Sequence, residues 1–322
     1  MRSQFLSDRC EKPKLQTMNR RLFLQNTALT FGALTIAQQE IFSALFSKSS
    51  GAAPAPWMFH MMTDKIGVFT EMGGTIGFMI DDKGVVVVDA QFPTTAPHMI
   101  SELQKKTHTP IKYLINTHHH GDHTAGNISF KGLVKHVVAH ENSKKNQKRV
   151  AINNKNLDKQ LLPDKTYSDT WQRHVGGESI AMYYWGPAHT DGDSFIHFEN
   201  TNIVHMGDLM FNRRHPFVDR SAGANIKHWI KVLHKATRRF DGNTTYIFGH
   251  AADGYNVVGN ADDLKKFADY LDAVLKFTEA EIRAGKTKEG FLKTTSFPGQ
   301  GEWKGDGISR PLAAAWDELM AK

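Results

Sequence analysis

Cysteine is all but missing from this chain: of 322 residues only Cys10 carries a thiol, and it lies ahead of the part whose pattern reads as folded. That excludes a disulfide framework and leaves no thiolate in the body to hold a metal. The body also lacks an apolar run long enough to span a bilayer. A strong excess of one charge is missing as well. The net charge is +7, but residues 1–53 hold seven Lys or Arg against three acids, so that leg supplies +4 and only +3 is left for the rest. So mild an excess on a large domain is a solvated surface and argues against nucleic acid as a partner. Apolar material is present in quantity. At 40% of residues it suffices for a sizeable core in one large α/β domain or two small ones.

The N-terminal leg has its own pattern. Arg20 and Arg21, followed by Leu22, Phe23 and Leu24 and then by apolar Ala28 to Ala37, resemble a twin-arginine export signal. The plainer reading is an ordinary amphipathic N-terminal helix. Met18, just before the arginines, is the candidate start, and Ser47 to Pro56, rich in Ser, Gly, Ala and Pro, reads as a linker with the cleavage region. The expected division is residues 1–53 as export signal and linker and residues 54–322 as the folded domain. The expected partner is the twin-arginine export machinery and the destination the periplasm or beyond, with no membrane anchor once the signal is removed.

The body is organised around Tyr113 to Asn127. The apolar run Ile111 to Thr117 reads as a buried strand, and it stops in a knot of His118, His119, His120, Gly121, Asp122 and His123. Residues two apart in an extended chain point the same way, so His118 and His120 project together, and a turn at Gly121 brings Asp122 and His123 to the same space. Three imidazoles and a carboxylate suit zinc or another borderline first-row metal. His119 points away from them, towards a supporting or surface role. A solvated histidine tract is the bland alternative, but such tracts do not follow an apolar strand with an Asp embedded.

Strands are expected at Ile66 to Thr70, Thr75 to Ile80, Gly84 to Asp89, His136 to His140, Glu178 to Tyr184, Ser194 to Phe198, Asn202 to Met206 and Thr245 to Phe248. Helices are expected at Thr94 to Thr107, Glu141 to Val150, Ala224 to Arg239, Ala261 to Ala284 and Leu312 to Met320. Three of the later apolar segments end at a Gly-containing turn on a possible ligand: His189, Asp208 and His250. α/β proteins place functional groups at such ends. Each alone reads as a hydrogen-bonded loop residue; with the first cluster they make a set.

On these residues the chain, from about Ile66 to the C-terminal helix, resembles the metallo-β-lactamase superfamily. The resemblance implies an α/β fold, an αββα four-layer sandwich with two metals at one edge of the sheets. It implies that His118, His120 and His189 hold the first metal, that Asp122, His123 and His250 hold the second, and that Asp208 bridges them. Asp89, ending the Val-rich strand, matches the early Asp that orients the metal loop. Antibiotic-hydrolysing members commonly have Cys or Ser where this chain has Asp208. Flavodiiron members have Glu where it has His120, which argues for zinc over a di-iron redox centre. Thioesterase members usually carry Gly-His where it has Gly192-Asp193, and Ala251 replaces a Gly that often follows the last His.

The activity implied is hydrolysis of a small-molecule ester, lactone, thioester or lactam. Two Zn2+ ions, with iron or manganese as alternatives, would lower the pKa of a bound water to roughly 7. Asp122 would orient that water or pass a proton. The competing readings are a class B β-lactamase-like antibiotic hydrolase, a mononuclear iron oxygenase of the persulfide-dioxygenase kind, and a metal-binding accessory protein, whose mark would be a missing ligand. The substrate is expected on the segments Met61 to Thr63, Leu161 to Trp171, Phe211 to Arg220 and Ala251 to Val257, with Asn212, His215 or Tyr255 as candidate oxyanion donors.

Overall fold

The computed structural model describes residues 56–305 and 307–321. Cys10, the export-signal motif and the linker up to residue 55 lie outside the described residues.

Seven strands form the first sheet in chain order: β1 (Met58–Met61), β2 (Ile66–Thr70), β3 (Ile76–Asp81), β4 (Gly84–Val88), β5 (Ile111–Asn116), β6 (Val134–His140) and β7 (Lys165–Tyr167). β1 to β4 pair antiparallel through short turns, and β4 to β7 pair parallel. The parallel pairs need crossovers. These are helix α1 (Ala96–Lys106), the short helix α2 (Gly121–Thr124) with a 3-10 turn, and helix α3 (Glu141–Asn153). The second sheet contains β8 (Thr170–Val175), β9 (Glu178–Tyr183), β10 (Phe195–Phe198), β11 (Ile203–His205), β13 (Thr245–Ile247) and β15 (Val258–Gly259). A small parallel pair, β12 (Phe211–Asn212) with β14 (His250–Ala251), stands apart from both.

Two-residue alternation sorts the side chains into layers. On β4, Val86 and Val88 pack with Ile66, Met79, Ile115 and Val138 against Ile180, Met182, Ile196 and Phe198 of the second sheet. Val85 and Val87 face the other way, onto Met99, Ile100 and Leu103 of α1. A strand apolar on both faces has to be covered on both. The outer face of the second sheet, with Phe195, Val204 and Tyr246, is covered by α4 (Ile226–Arg239), α5 (Ala261–Arg283) and α7 (Ser309–Met320); the short α6 (Lys288–Phe291) adds Phe291. The result is the expected four layers, helix, sheet, sheet, helix. Among the described residues, no helix is long and apolar enough to cross a membrane.

β1, β7, β8, β12, β14 and β15 were not among the expected strands. β8 is mostly exposed, so it shows no apolar run, and β12, β14 and β15 have two residues each.

Candidate metal centre

The ends of β5, β9, β11 and the start of β14 deliver every predicted donor to one place. After β5, His118 and His120 set their rings 4.8 Å apart, and α2 swings Asp122 and His123 in beside them. His189 follows β9, Asp208 sits in the 3-10 turn Gly207–Leu209 after β11, and His250 opens β14. His120 Nδ1 is 3.1 Å from His118 Nε2 and 2.9 Å from His189 Nε2. A second group adjoins the first: His250 Nε2 is 3.4 Å from His123 Nε2 and 3.1 Å from Asp122 Oδ2. Asp208 stands between the groups. Its Oδ2 is 3.4 Å from His189 Nε2, and its Oδ1 is 2.9 Å from His123 Nε2 and 3.4 Å from His250 Nε2.

The outward nitrogens decide what the inward ones can do. His118 Nδ1 meets Thr117 Oγ1 at 3.0 Å, and that hydroxyl donates to Asp89 Oδ2. His123 Nδ1 donates to Asp89 Oδ2 at 2.7 Å, His189 Nδ1 to the Phe217 carbonyl at 2.9 Å, and His120 Nε2 to Asp219 Oδ2 at 3.0 Å. A neutral imidazole has one N–H, so these partners assign the proton to the outer nitrogen and turn the other lone pair inward. Bare nitrogens then face one another and the Asp208 carboxylate at around 3 Å. Acceptor against acceptor at that range calls for a positive charge between them. The need is clearest at Asp208 Oδ1, buried 2.9 Å from His123 Nε2 and 3.4 Å from His250 Nε2. Five imidazoles and two carboxylates in two groups therefore fit a pair of divalent cations.

The electrostatics agree. Burial pulls His118 well below its ordinary pKa and His189 down to about 3, the neutral state that a ligand needs. Burial opposes charge on His123 and His250 too, but Asp208 and Asp122 outweigh it, lifting His123 well above its usual value and His250 to about 9. A proton there holds the place of a cation. Burial likewise works against charge on Asp208, yet His250 and His123 keep its carboxyl well below the usual range.

Glycine is required at two points of contact. A Cβ at Gly74 would lie 2.1 Å from the His123 ring, and one at Gly249 would lie 2.1 Å from Asp208 Oδ1. Asp89 holds its own backbone at φ 65°, fully buried, and accepts from Thr117 N, Thr117 Oγ1 and His123 Nδ1.

Several finer expectations need correcting. Of the two roles expected for His119, supporting or surface, the surface one falls: it is 4% exposed, with Nε2 3.5 Å from Asp219 Oδ2, because the loop carrying Asp219 covers the side it points to. The turn at Met61 to Thr63 lies at the start of β2, about 16 Å along the strand from the Gly74 end, and reaches the centre only through the groove from Ala251 that Met62 and Thr63 help to line. Leu161 to Trp171 is not one loop, since it contains β7 and enters β8. Asn212 donates one amide N–H to the Asn256 carbonyl and its oxygen accepts from Arg213 Nη1, and His215 Nδ1 is bonded to the Tyr270 hydroxyl, so both side chains are engaged within the protein. Tyr255 lies under the Arg213 guanidinium. Ala251, in place of the family's Gly, continues β14 opposite Asn212.

Sequence reasoning missed Asp219 and Phe217. The Phe217 ring, 41% exposed, lies 5.3 Å from the His120 ring and forms a wall of the centre. The expected substrate segments Phe211 to Arg220 and Ala251 to Val257 do border the centre, and a groove of about 840 Å³ runs from Ala251 past Tyr255 and Val258 to Thr70 and Met58.

Comparison with known proteins agrees with this architecture. The chain is 29% identical over 133 residues to a 2,4-dinitroanisole O-demethylase subunit alpha from Nocardioides sp. (strain JS1661), covering 40% of this chain and 39% of that protein. It is 28% identical over 136 residues to a hydroxyacylglutathione hydrolase from Pelagibacter ubique (strain HTCC1062), covering 42% of this chain and 51% of that one. The matches thus span about half or less of these curated relatives. In fold it is similar to a metallo-beta-lactamase from Pontibacter korlensis, with a TM-score of 0.55 at 18% identity over 67% of this chain and 99% of that one. Residues 70–275, which carry all seven donors, match the sequence signature described as the metallo-beta-lactamase superfamily, and the chain belongs to that superfamily.

Proposed function

We propose that this protein is a metal-dependent hydrolase of small molecules with a dinuclear centre, His118, His120 and His189 holding one ion, Asp122, His123 and His250 the other, and Asp208 bridging. The observation that carries the reading is the division of the Asp208 carboxylate, one oxygen towards each group of donors. The donor set favours zinc, with iron or manganese as alternatives. Two such ions, when bound, polarise a substrate carbonyl and lower the pKa of water to roughly 7. The chain itself supplies the rest. Asp122 is the most exposed donor, at 31% of its side chain, so it is the group that can orient a water and accept its proton. Phe217 excludes bulk water beside His120, and the groove beginning at Ala251 accommodates the remainder of a substrate. The substrate class is an ester, lactone, thioester or lactam. A relative named as a hydroxyacylglutathione hydrolase supports an acyl substrate.

Purified protein is expected to hold about two ions per chain, to lose hydrolysis on chelation and to regain it with zinc. Metal analysis with a screen of lactams, lactones and thioesters checks this. One equivalent with full activity would end the bridged reading, and iron with oxygen consumption would replace hydrolysis.

Export to the periplasm or beyond is part of the same proposal, resting on Arg20 and Arg21. Replacing both by Lys is expected to leave the protein in the cytoplasm. Cell fractionation decides it, and normal periplasmic levels of the double variant would remove the twin-arginine reading.

A further inference from the structure

We infer that Asp219 is the positioning residue of the first metal site, the carboxylate that sets which nitrogen of His120 is free to bind an ion. This rests on the proposed ligand set above. His118 and His189 turn Nε2 inward, whereas His120 turns Nδ1 inward. Its outer nitrogen is therefore Nε2, and the partner there is Asp219 Oδ2 at 3.0 Å. An imidazole at a site's edge can rotate, or carry its proton on either nitrogen. A carboxylate against Nε2–H disfavours the tautomer that would put a proton where the ion must sit.

The carboxylate is itself held. Asp219 Oδ1 accepts from Ala222 N at 3.1 Å and from the Ser221 hydroxyl at 2.5 Å, so Oδ2 remains for the histidines. His119 Nε2, 3.5 Å from the same oxygen, gives a role to the one histidine of the cluster that faces away from the ions. The neighbouring backbone works in parallel: the Phe217 carbonyl takes the His189 Nδ1 proton, and Asp219 N donates to the His189 carbonyl at 3.2 Å. Phe217 and Asp219 thus orient two of the three rings of the first site. Asp89, through Thr117, orients the third.

The test separates positioning from the turn that Asp219 also caps. Asp219→Asn keeps an oxygen for Ala222 N but can present an amide N–H₂ to His120 Nε2, favouring the wrong tautomer. Asp219→Ser keeps a capping oxygen and offers His120 nothing; it serves if the first variant does not fold. Both are made in the full chain, with and without His250→Ala to weaken the second group, and zinc affinity is read by competition with a chromophoric chelator. Zinc affinity of the first group is expected to fall 10- to 100-fold, with the melting temperature in chelator nearly unchanged and the second group's affinity retained. Histidine nitrogen NMR should show the His120 Nε2–H resonance of the parent lost or shifted. Unchanged zinc affinity with an unchanged His120 tautomer would overturn the inference alone. A third zinc in the parent that the variants lose would overturn it too, by making Asp219 a ligand. A parent without zinc affinity would remove the ligand reading and this inference together.

Discussion

Asp208→Asn is expected to leave the protein folded with about one metal ion per chain and to lower turnover at least ~100-fold. The carboxylate presents Oδ2 to His189 and Oδ1 to His123 and His250, so both oxygens are engaged. An amide offers one acceptor and replaces the other with a donor, which cannot face an ion. The loss falls mainly on the group of Asp122, His123 and His250, because Oδ1 makes the closer approaches there. The first group keeps three imidazoles. If Asp208 only stabilised the 3-10 turn Gly207–Leu209, the change would cost on the order of 1 kcal/mol and spare the ions. Metal content and turnover measured on one preparation decide between these. Two ions with near-normal activity would remove Asp208 from the centre.

Asp89→Ala is expected to cost more in stability than any change among the ligands. Asp89 is fully buried and accepts three hydrogen bonds, from Thr117 N, Thr117 Oγ1 and His123 Nδ1. Its removal leaves those donors unpaired in the interior, each costing about 1–3 kcal/mol. The alanine must also hold φ 65°, a left-handed conformation that Asp and Asn tolerate better than Ala. The three donors alone sum to about 3–9 kcal/mol, a large part of the 5–15 kcal/mol that a typical domain has. Urea denaturation in chelator isolates this cost from metal binding. Asp89→Asn, which keeps the backbone and one acceptor, should recover part of it. A loss under about 1 kcal/mol for the alanine variant would show that Thr117 and His123 find other partners.

The donors were legible because their signal is local. His118, His120, Asp122 and His123 lie within one strand end and one turn, where two-residue alternation tells which side chains project together. His189, Asp208 and His250 each come shortly after an apolar strand, at a Gly-containing turn, so their positions along the chain announced them. Asp219 had no such mark. It meets His120 across 99 positions of sequence, from a segment that reads only as a turn cap. The alternation rule correctly sent His119 away from its neighbours, but whether that side is covered depends on the same distant loop. Layering was legible in Val85 to Val88, whose apolar character on both faces required covers on both. Edge strands such as β8 were not, since solvent on one side removes the apolar signal.

The seven donors come from both halves of the sandwich: four follow β5 of the first sheet, and three stand among the elements around the second. In an unfolded chain they are dispersed between positions 118 and 250, and no ion finds them assembled. Ions that bind only the assembled state draw the folding equilibrium towards it by mass action, each tenfold rise in free ion above the dissociation constant adding about 1.4 kcal/mol per site. The free metal concentration of the compartment thereby becomes a determinant of how long the chain survives heat and proteases, and of how much folded protein a cell retains.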